Sequence, residues 1–316
     1  YKAPLKKLQG RGYASGFWFN AGGESSAQVN ITEDGNVVVT TGHPDIGGSR
    51  ASIANITAEL LGIDVNRVSV LIGDTATIGF SNLTGGSRVL FASALVVTES
   101  TNQVIDILKD RASKIWNIDK EAIEWENGEA RPAGDNAGKF KPLSLVELAE
   151  QATPTGGPIG AGHQVNTVGA EGGFATHICD VEVDIELGIA RVIRYTAAQD
   201  VGKAIHPAYV EGQLQGGVVQ GIGWALNEEY IYNKEGKLDN PGFLDYRIPV
   251  CSDLPMIDTI LVEVPNPQHP QGVRGVGEVP IVPPLSAIAN AIYNAIGTRF
   301  YSLPMSPPKV LEKISD

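Results

Sequence analysis

The stretch Gly272-Val273-Arg274-Gly275-Val276-Gly277-Glu278-Val279-Pro280 sets a single carboxylate in a glycine-rich turn just ahead of an apolar run. Solubility requires no such setting, but a carboxylate that must reach a bulky ligand at a fixed angle does. Gly275 and Gly277 lack Cβ, so the backbone there can come close to a ligand. Glu278 is therefore the candidate catalytic carboxylate. Two further junctions share four residues: Thr84 leads into Gly85-Gly86-Ser87-Arg88, and Asp45-Ile46 leads into Gly47-Gly48-Ser49-Arg50. Each opens an expected helix, where free N–H groups, the helix dipole and a hydroxyl can together hold an anion. Capping by Ser49 and Ser87 is the alternative. Capping alone does not call for the same four residues twice. A third stretch, Val210 to Trp224, places glycines at 212, 216, 217, 221 and 223. Each would weaken an isolated helix by about 1 kcal/mol relative to Ala, so the fold must gain close packing there, against a ligand or another helix. Gln213 and Gln220 offer paired donors and acceptors suited to a heterocycle edge.

Composition narrows the chemistry. Thirty-six acidic against 24 basic residues leave a net charge of −12, which argues against nucleic acid and anionic membranes as main partners. An anionic cofactor stays open, because main-chain N–H groups hold phosphates without Lys or Arg. Cys179 and Cys251 are the two cysteines, too few for a disulfide framework or for ligating an iron–sulfur cluster. His43, His163, His177, His206 and His269 show no metal-ligand spacing, so no protein-ligated metal is expected. His206, before Pro207, reads as a turn residue, and both cysteines read as structural. Arg274 could face an anion or be a solvated loop charge. No apolar run reaches the length of a membrane span, no signal peptide is seen, and a cytoplasmic location is the expectation.

The elements that must position these residues follow from periodicity. After a basic opening (Lys2, Lys6, Lys7, Arg11) and a Gly-rich aromatic stretch, strands are expected at 26–31 and 37–41 around a Glu33–Asn36 turn. A helix at 51–61, a strand at 68–72, a second Gly/Thr/Ser loop from Asp74 to Arg88 and a long helix at 89–116 come next. A strand pair at 123–131, a short helix at 143–152 and a Gly/Pro-rich connector at 153–173 complete the first half. Beyond it, strands at 178–184 and 190–198 form a hairpin. A helix at 207–226, strands at 229–232 and 259–264, and a helix at 285–296 follow. Strand pairs alternating with helices indicate an α+β fold of two elongated mixed α/β subdomains with antiparallel strand pairs, bounded as 1–160 and 161–316, not a doubly wound parallel sheet. The two halves could be distant structural relatives.

The order Ala190-Arg191-Val192, Asp200-Val201-Gly202, Ile205-His206-Pro207, Glu211 to Trp224 and Gly275-Val276-Gly277-Glu278 resembles the C-terminal molybdenum-cofactor-binding region of the xanthine dehydrogenase / aldehyde oxidase family. Within that family it is most similar to the large subunits of aerobic carbon monoxide dehydrogenase-like enzymes. The resemblance runs from about Gly12 to about Pro304. It implies a molybdopterin-binding fold, with molybdenum held through the pterin dithiolene and the pterin often in its cytosine dinucleotide form. It implies that Glu278 is the catalytic glutamate and that Gln213 contacts the pterin. Thr84, Gly85, Gly86, Ser87 and Arg88 then form the loop under the metal and pterin, Gly47, Gly48, Ser49 and Arg50 form a second cofactor loop, and Gly277 is part of the catalytic turn. The implied activity is that of a molybdenum hydroxylase, an oxidoreductase that inserts water-derived oxygen at an aldehyde or N-heterocycle carbon.

The resemblance also implies partners. Electrons would leave through iron–sulfur and flavin (FAD) subunits in a heteromeric complex, since neither group is expected on this chain. Relatives are much longer, so the N-terminal molybdenum-domain half would be a separate subunit or a missing segment. Many relatives carry Gly-Gln-Gly where this chain has Gly47-Gly48-Ser49, which marks an offshoot subgroup. Carbon monoxide oxidation, a non-catalytic scaffold for cofactor and subunits, and a generic phosphate-binding module are the competing readings.

Overall fold

Val37, Val39 and Thr41 are buried while Val38 and Thr40 are less so, the period-two signature of a strand with one face on a core. The same logic runs through the whole chain. The computed structural model describes residues 8–73 and 77–315; the basic positions Lys2, Lys6 and Lys7 and the loop start at Asp74 lie outside them. In chain order the elements are β1 (Gln9–Asn20), β2 (Gly23–Ile31), β3 (Val37–Thr41), α1 (Ser49–Leu61), β4 (Val68–Ile72), α2 (Val89–Trp116), β5 (Ile123–Glu126), β6 (Glu129–Pro132), β7 (Leu143–Ser144), α3 (Leu145–Glu150), α4 (Ala152–Thr155) and β8 (Ile159–Thr167). There follow β9 (Ala170–Asp184), β10 (Ile189–Asp200), α5 (Pro207–Leu226), β11 (Ile257–Val262), α6 (Val282–Ile296) and α7 (Pro307–Ser315).

These elements gather into two compact units that are not consecutive halves. One, here the N-terminal unit, comprises Asn20–Ala170 and Pro265–Val273; the other, the C-terminal unit, comprises Tyr1–Phe19, Glu171–Val264 and Arg274–Asp316. The boundary expected near residue 160 would cut through β8; the chain instead leaves the N-terminal unit after Ala170, and β1 joins the sheet of the C-terminal unit. The chain thus passes between units at four points, one of them just ahead of Arg274.

The N-terminal unit has a sheet in the order β4-β3-β2-β8. β2 and β3 form the expected hairpin, with Val29 opposite Val39, whereas β3 and β4 run parallel because α1 carries the chain back across the sheet. Val29, Val37, Val39, Val70, Ile53 and Leu108 bury together in its core. A small sheet, β5-β6-β7, completes this unit, with Trp125 Nε1 donating to Leu61 O at 3.0 Å.

The C-terminal unit repeats that plan. Its sheet order is β1-β9-β10-β11, with β9 and β10 an antiparallel hairpin and β10 and β11 parallel across α5. Hairpin, crossover helix, parallel strand and long helix occur in the same order in both units. The fold is thus mixed α+β, with a parallel edge pair in each main sheet besides the expected antiparallel pairs. The expected strand at 229–232 reduces to an isolated bridge, Tyr232 to Leu238, because Asn240 takes up the neighbouring Ile231 N–H and Glu229 carbonyl with its side chain. Val279–Ile296 is long and apolar enough by composition to cross a membrane, yet Ile288 and Ile292 on it lie in the core of this unit.

The glycine-rich helix α5 is explained in part by packing. A Cβ on Gly217 would stand 2.5 Å from Pro280 Cγ, and one on Gly221 would stand 2.6 Å from Pro284 Cβ, so these two glycines let α5 rest directly on the prolines that begin α6. Gly212 and Gly216 meet nothing within 4 Å and leave helix backbone open on another face. Gly217→Ala should therefore destabilise the protein by about 1–3 kcal/mol through overpacking. Gly216→Ala should be neutral or stabilising by up to about 1 kcal/mol. Denaturant midpoints measured side by side check this, and equal effects would contradict it.

Candidate functional site

The parallel neighbours β3 and β4 end at the same edge of their sheet, and each feeds a loop that opens a helix. Open α/β sheets characteristically place ligands beyond such strand ends. At the first loop, Gly47 (φ 61°) and Gly48 (φ 78°) are both left-handed, so the backbone turns tightly ahead of α1. Their N–H groups have no partner among the described residues. Ser49 does not cap the helix: its Oγ donates to Pro44 O at 3.2 Å and accepts from Ile46 N–H at 3.3 Å. Asp45 does the capping, with Oδ1 accepting from Arg50 N–H at 3.1 Å and Oδ2 pairing with Arg50 Nε at 3.3 Å.

At the second loop, Gly86 (φ 65°) and Ser87 (φ 54°) are left-handed in succession. A serine in that region is strained, and such strain gathers where a loop is shaped for a ligand. Thr84 is exposed and Gly85 half-buried. Arg88 plays an internal part in this loop. Its guanidinium is buried and donates to five protein oxygens: Gly22 O, Asn82 O, Leu83 O, Glu24 O and Ser25 Oγ, at 2.6–3.2 Å. It organises the loop from within and does not reach outward to an anion.

Ser25 joins the two loops. Its hydroxyl accepts from Arg88 at 2.8 Å and shares a hydrogen bond with His43 Nε2 at 2.9 Å. His43, at the end of β3, is fully buried, and desolvation, aided by the Arg88 charge, pushes it down to about 4. Neither Ser25 nor His43 stood out in the sequence, where a lone serine or histidine carries no spacing signal.

In the C-terminal unit the turn bearing Glu278 is tied to the end of β10. Gln199 Nε2 donates to Val276 O at 3.2 Å, and Arg274 Nε lies 3.2 Å from Asp200 Oδ2 and 3.4 Å from Val264 O. Arg274 is thus an internal tie. Asp200 Oδ1 also accepts from Gly202 N–H at 3.1 Å. Gln199 is 1% exposed, and its Oε1 is buried without a partner. Helix α6 begins at Val282, three residues earlier than expected, after a 3₁₀ turn at Val279–Ile281. Glu278 therefore stands at the amino end of the helical run, with no side-chain capping bond. Leu214 of α5 packs in one cluster with Val201 and Val276, which brings the helix carrying Gln213 against the turn carrying Gly277 and Glu278. Gln213 is half-buried and makes no hydrogen bond to another described residue. Cys179 is buried in β9, and desolvation raises its thiol far above the ordinary value, while Cys251 is exposed.

The donor set tests what could bind. No group of three or more His, Cys, Asp or Glu among the described residues could hold a metal ion. A metal here must arrive on its own organic ligand. In the N-terminal unit the two left-handed turns offer main-chain N–H groups suited to an anion; in the C-terminal unit the α5 backbone is open at Gly212 and Gly216 beside the Gln213 amide. Comparison with known families decides the assignment: the molybdopterin cofactor-binding domain matches residues 3–255. The chain belongs to that family.

Among this family member's relatives is the putative xanthine dehydrogenase molybdenum-binding subunit XdhA of Escherichia coli K12, 30% identical over 314 residues, covering 95% of the chain and 41% of the relative. That alignment must include Glu278, which lies beyond the family match but well inside the ends of the chain. Quinoline 2-oxidoreductase from Pseudomonas putida 86 superposes with a TM-score of 0.86 at 25% identity, covering 98% of the chain and 42% of the other. A copper,molybdenum carbon monoxide dehydrogenase shares the fold with a TM-score of 0.87 at 23% identity, covering 96% and 41%. The chain spans about two fifths of the length of these relatives.

The buried histidines predict the acid response. His43 and His177 are both held neutral by burial, each near 4 in the folded protein against 6.5 when exposed. Their depressed values stabilise the fold fully above pH 6.5, and that stability is lost as pH falls toward 4. Glu147, held near 2 by its capping bonds to Ser144, acts only below this window. Each histidine should contribute a slope of up to about 1.4 kcal/mol per pH unit. Urea midpoints between pH 6.5 and 4.5 should fall steeply, and His43→Gln should lower the slope by about one proton. A flat profile would contradict the assignment.

Proposed function

We propose that this chain is the molybdenum-cofactor-binding part of a molybdenum hydroxylase, acting on an aldehyde or N-heterocycle carbon with water-derived oxygen. The observation that carries it is Glu278: one carboxylate in a glycine turn, at the amino end of a helical run, tied to a strand end by Gln199, Asp200 and Arg274. The names of two relatives, a xanthine dehydrogenase subunit and a quinoline oxidoreductase, support an N-heterocyclic substrate.

The roles follow from the local chemistry. The left-handed turns at Gly47-Gly48 and Gly86-Ser87 present main-chain N–H groups to the cofactor's anionic part, with Ser49, Thr84 and Gly85 beside them. Gln213 offers one donor and one acceptor to the pterin edge. Arg50, exposed and paired with Asp45, lies at the rim of the first turn, while Arg88 holds the second turn in shape. When bound, the cofactor supplies molybdenum on a dithiolene, an acceptor for the substrate's electron pair. Glu278 takes a proton from the attacking oxygen nucleophile. Gly277 keeps a side chain from standing between that carboxylate and the substrate. We take the pterin to be the cytosine dinucleotide form, with iron–sulfur and FAD on partner subunits in a cytoplasmic complex. The other three fifths of the relatives' length lies on another subunit or segment.

Glu278→Gln in the complete complex tests this reading. Turnover should drop about 10²–10⁴-fold, the share that a positioned general base supplies, while molybdenum content per chain stays unchanged. Unchanged turnover would support a scaffold role for this chain instead. Molybdenum absent from the native complex, with an ordinary nucleotide bound in its place, would favour the generic phosphate module.

A further inference from the structure

Between α5 and β11 the C-terminal unit builds a surface that is inverted: its polar groups are used inside and its apolar side chains point out. Asn240, 7% exposed, is the hub, accepting from Ile231 N–H at 2.9 Å and donating to Glu229 O at 2.7 Å. Tyr246 OH donates to Glu228 at 2.8 Å, and Tyr246 N–H closes on Gly242 O at 2.9 Å. These bonds hold the segment in one shape. Phe243 and Leu244 are nonetheless 94% and 93% exposed, and Met256 is 84% exposed. Beside them lie two shallow hollows of about 490 and 320 Å³, both lined by Phe243, Tyr246 and Ile248. An exposed apolar surface of this kind, held from within by hydrogen bonds, marks a protein contact.

We propose that this surface seats the polypeptide that, in the relatives, makes up the part of the molecule outside the match. The proposal rests on the reading above, that this chain is one part of a larger catalytic unit. The relatives carry this module as only 41% of a chain, so a longer stretch of polypeptide accompanies it in each of them. A second copy of this chain is a poor occupant: each copy carries a charge of −12, and residues 228–256 hold six acids against three bases, so like charges would face each other. The partner face that fits is apolar at its centre and rimmed by Lys and Arg.

Photo-crosslinking in the native complex, with p-benzoylphenylalanine placed at Phe243, tests the seat. The expected crosslinked peptide aligns with the portion of the relatives outside this module, on the same chain or another. A crosslink to a second copy, to an iron–sulfur or flavin subunit, or to nothing would overturn the proposal. In a second arm, Phe243→Asp with Leu244→Asp should weaken that association by at least about tenfold, as loss of a central apolar anchor does. The unfolding midpoint of the chain should not move, because both side chains are exposed. Unchanged affinity would overturn the proposal. A complex that assembles through this surface yet contains no molybdenum would refute the enzymatic reading and leave this one standing.

Discussion

The turn that carries Glu278 takes its position from the end of β10. One strand residue, Gln199, bonds the Val276 carbonyl, and the next, Asp200, pairs with the half-buried Arg274. A glycine turn alone would sample many conformations, because Gly275 and Gly277 impose few limits. Fastening it at Arg274 and Val276 leaves Glu278 two residues past the last anchor, where the 3₁₀ turn at Val279 begins. The glycines provide access and the strand end provides position. Removing either would leave a carboxylate that is present but not aimed.

The same division of labour recurs in the N-terminal unit with different atoms. There the loop ahead of α2 holds left-handed Gly86 and Ser87, and the anchor is Arg88, whose guanidinium gathers four carbonyls and the Ser25 hydroxyl. In both units the chain runs hairpin, crossover helix, parallel strand and long helix, and the functional loop precedes the long helix. One architectural plan thus sets Glu278 ahead of the helical run in one unit and the left-handed Gly86-Ser87 turn ahead of the long helix in the other. What differs is whether the charged side chain at the loop is engaged inward, as with Arg88, or stands at a helix start, as with Glu278.

Much of this was legible in the sequence. Helices α1, α2, α5 and α6 announced themselves by their residue pattern, α1 and α6 also by the closing Gly62 and Gly297, and the hairpins by their turns. β1 escaped because the residues on its packed face include Gly10 and Gly12, whose missing Cβ atoms let the strand lie against the backbone of α6 at Ala291 and Ala287. Its large side chains, such as Tyr13 and Phe17, are the exposed ones, so the strand reads as a Gly-rich aromatic stretch without alternation. β8 was hidden for a related reason: Gly160 and Gly162 lie under the side chains of Asn30 and Gln28 on β2 and were taken for chain breakers. The internal part Arg88 plays was not legible, because sequence does not show that its guanidinium is gathered by the carbonyls of Gly22, Glu24, Asn82 and Leu83. Glu278 was singled out in the sequence by the glycines around it, and the structure places it at the amino end of the helical run.

The account stands on a carboxylate aimed at a metal that the chain itself does not ligate. The most direct measurement is an anomalous difference map at the molybdenum edge from crystals of the native assembly. The account predicts a single peak per chain, with the Glu278 carboxylate within about 2.6–3.2 Å of an oxygen on that metal, the reach of a general base. A molybdenum peak remote from Glu278, or no peak with Glu278 facing solvent, would contradict it.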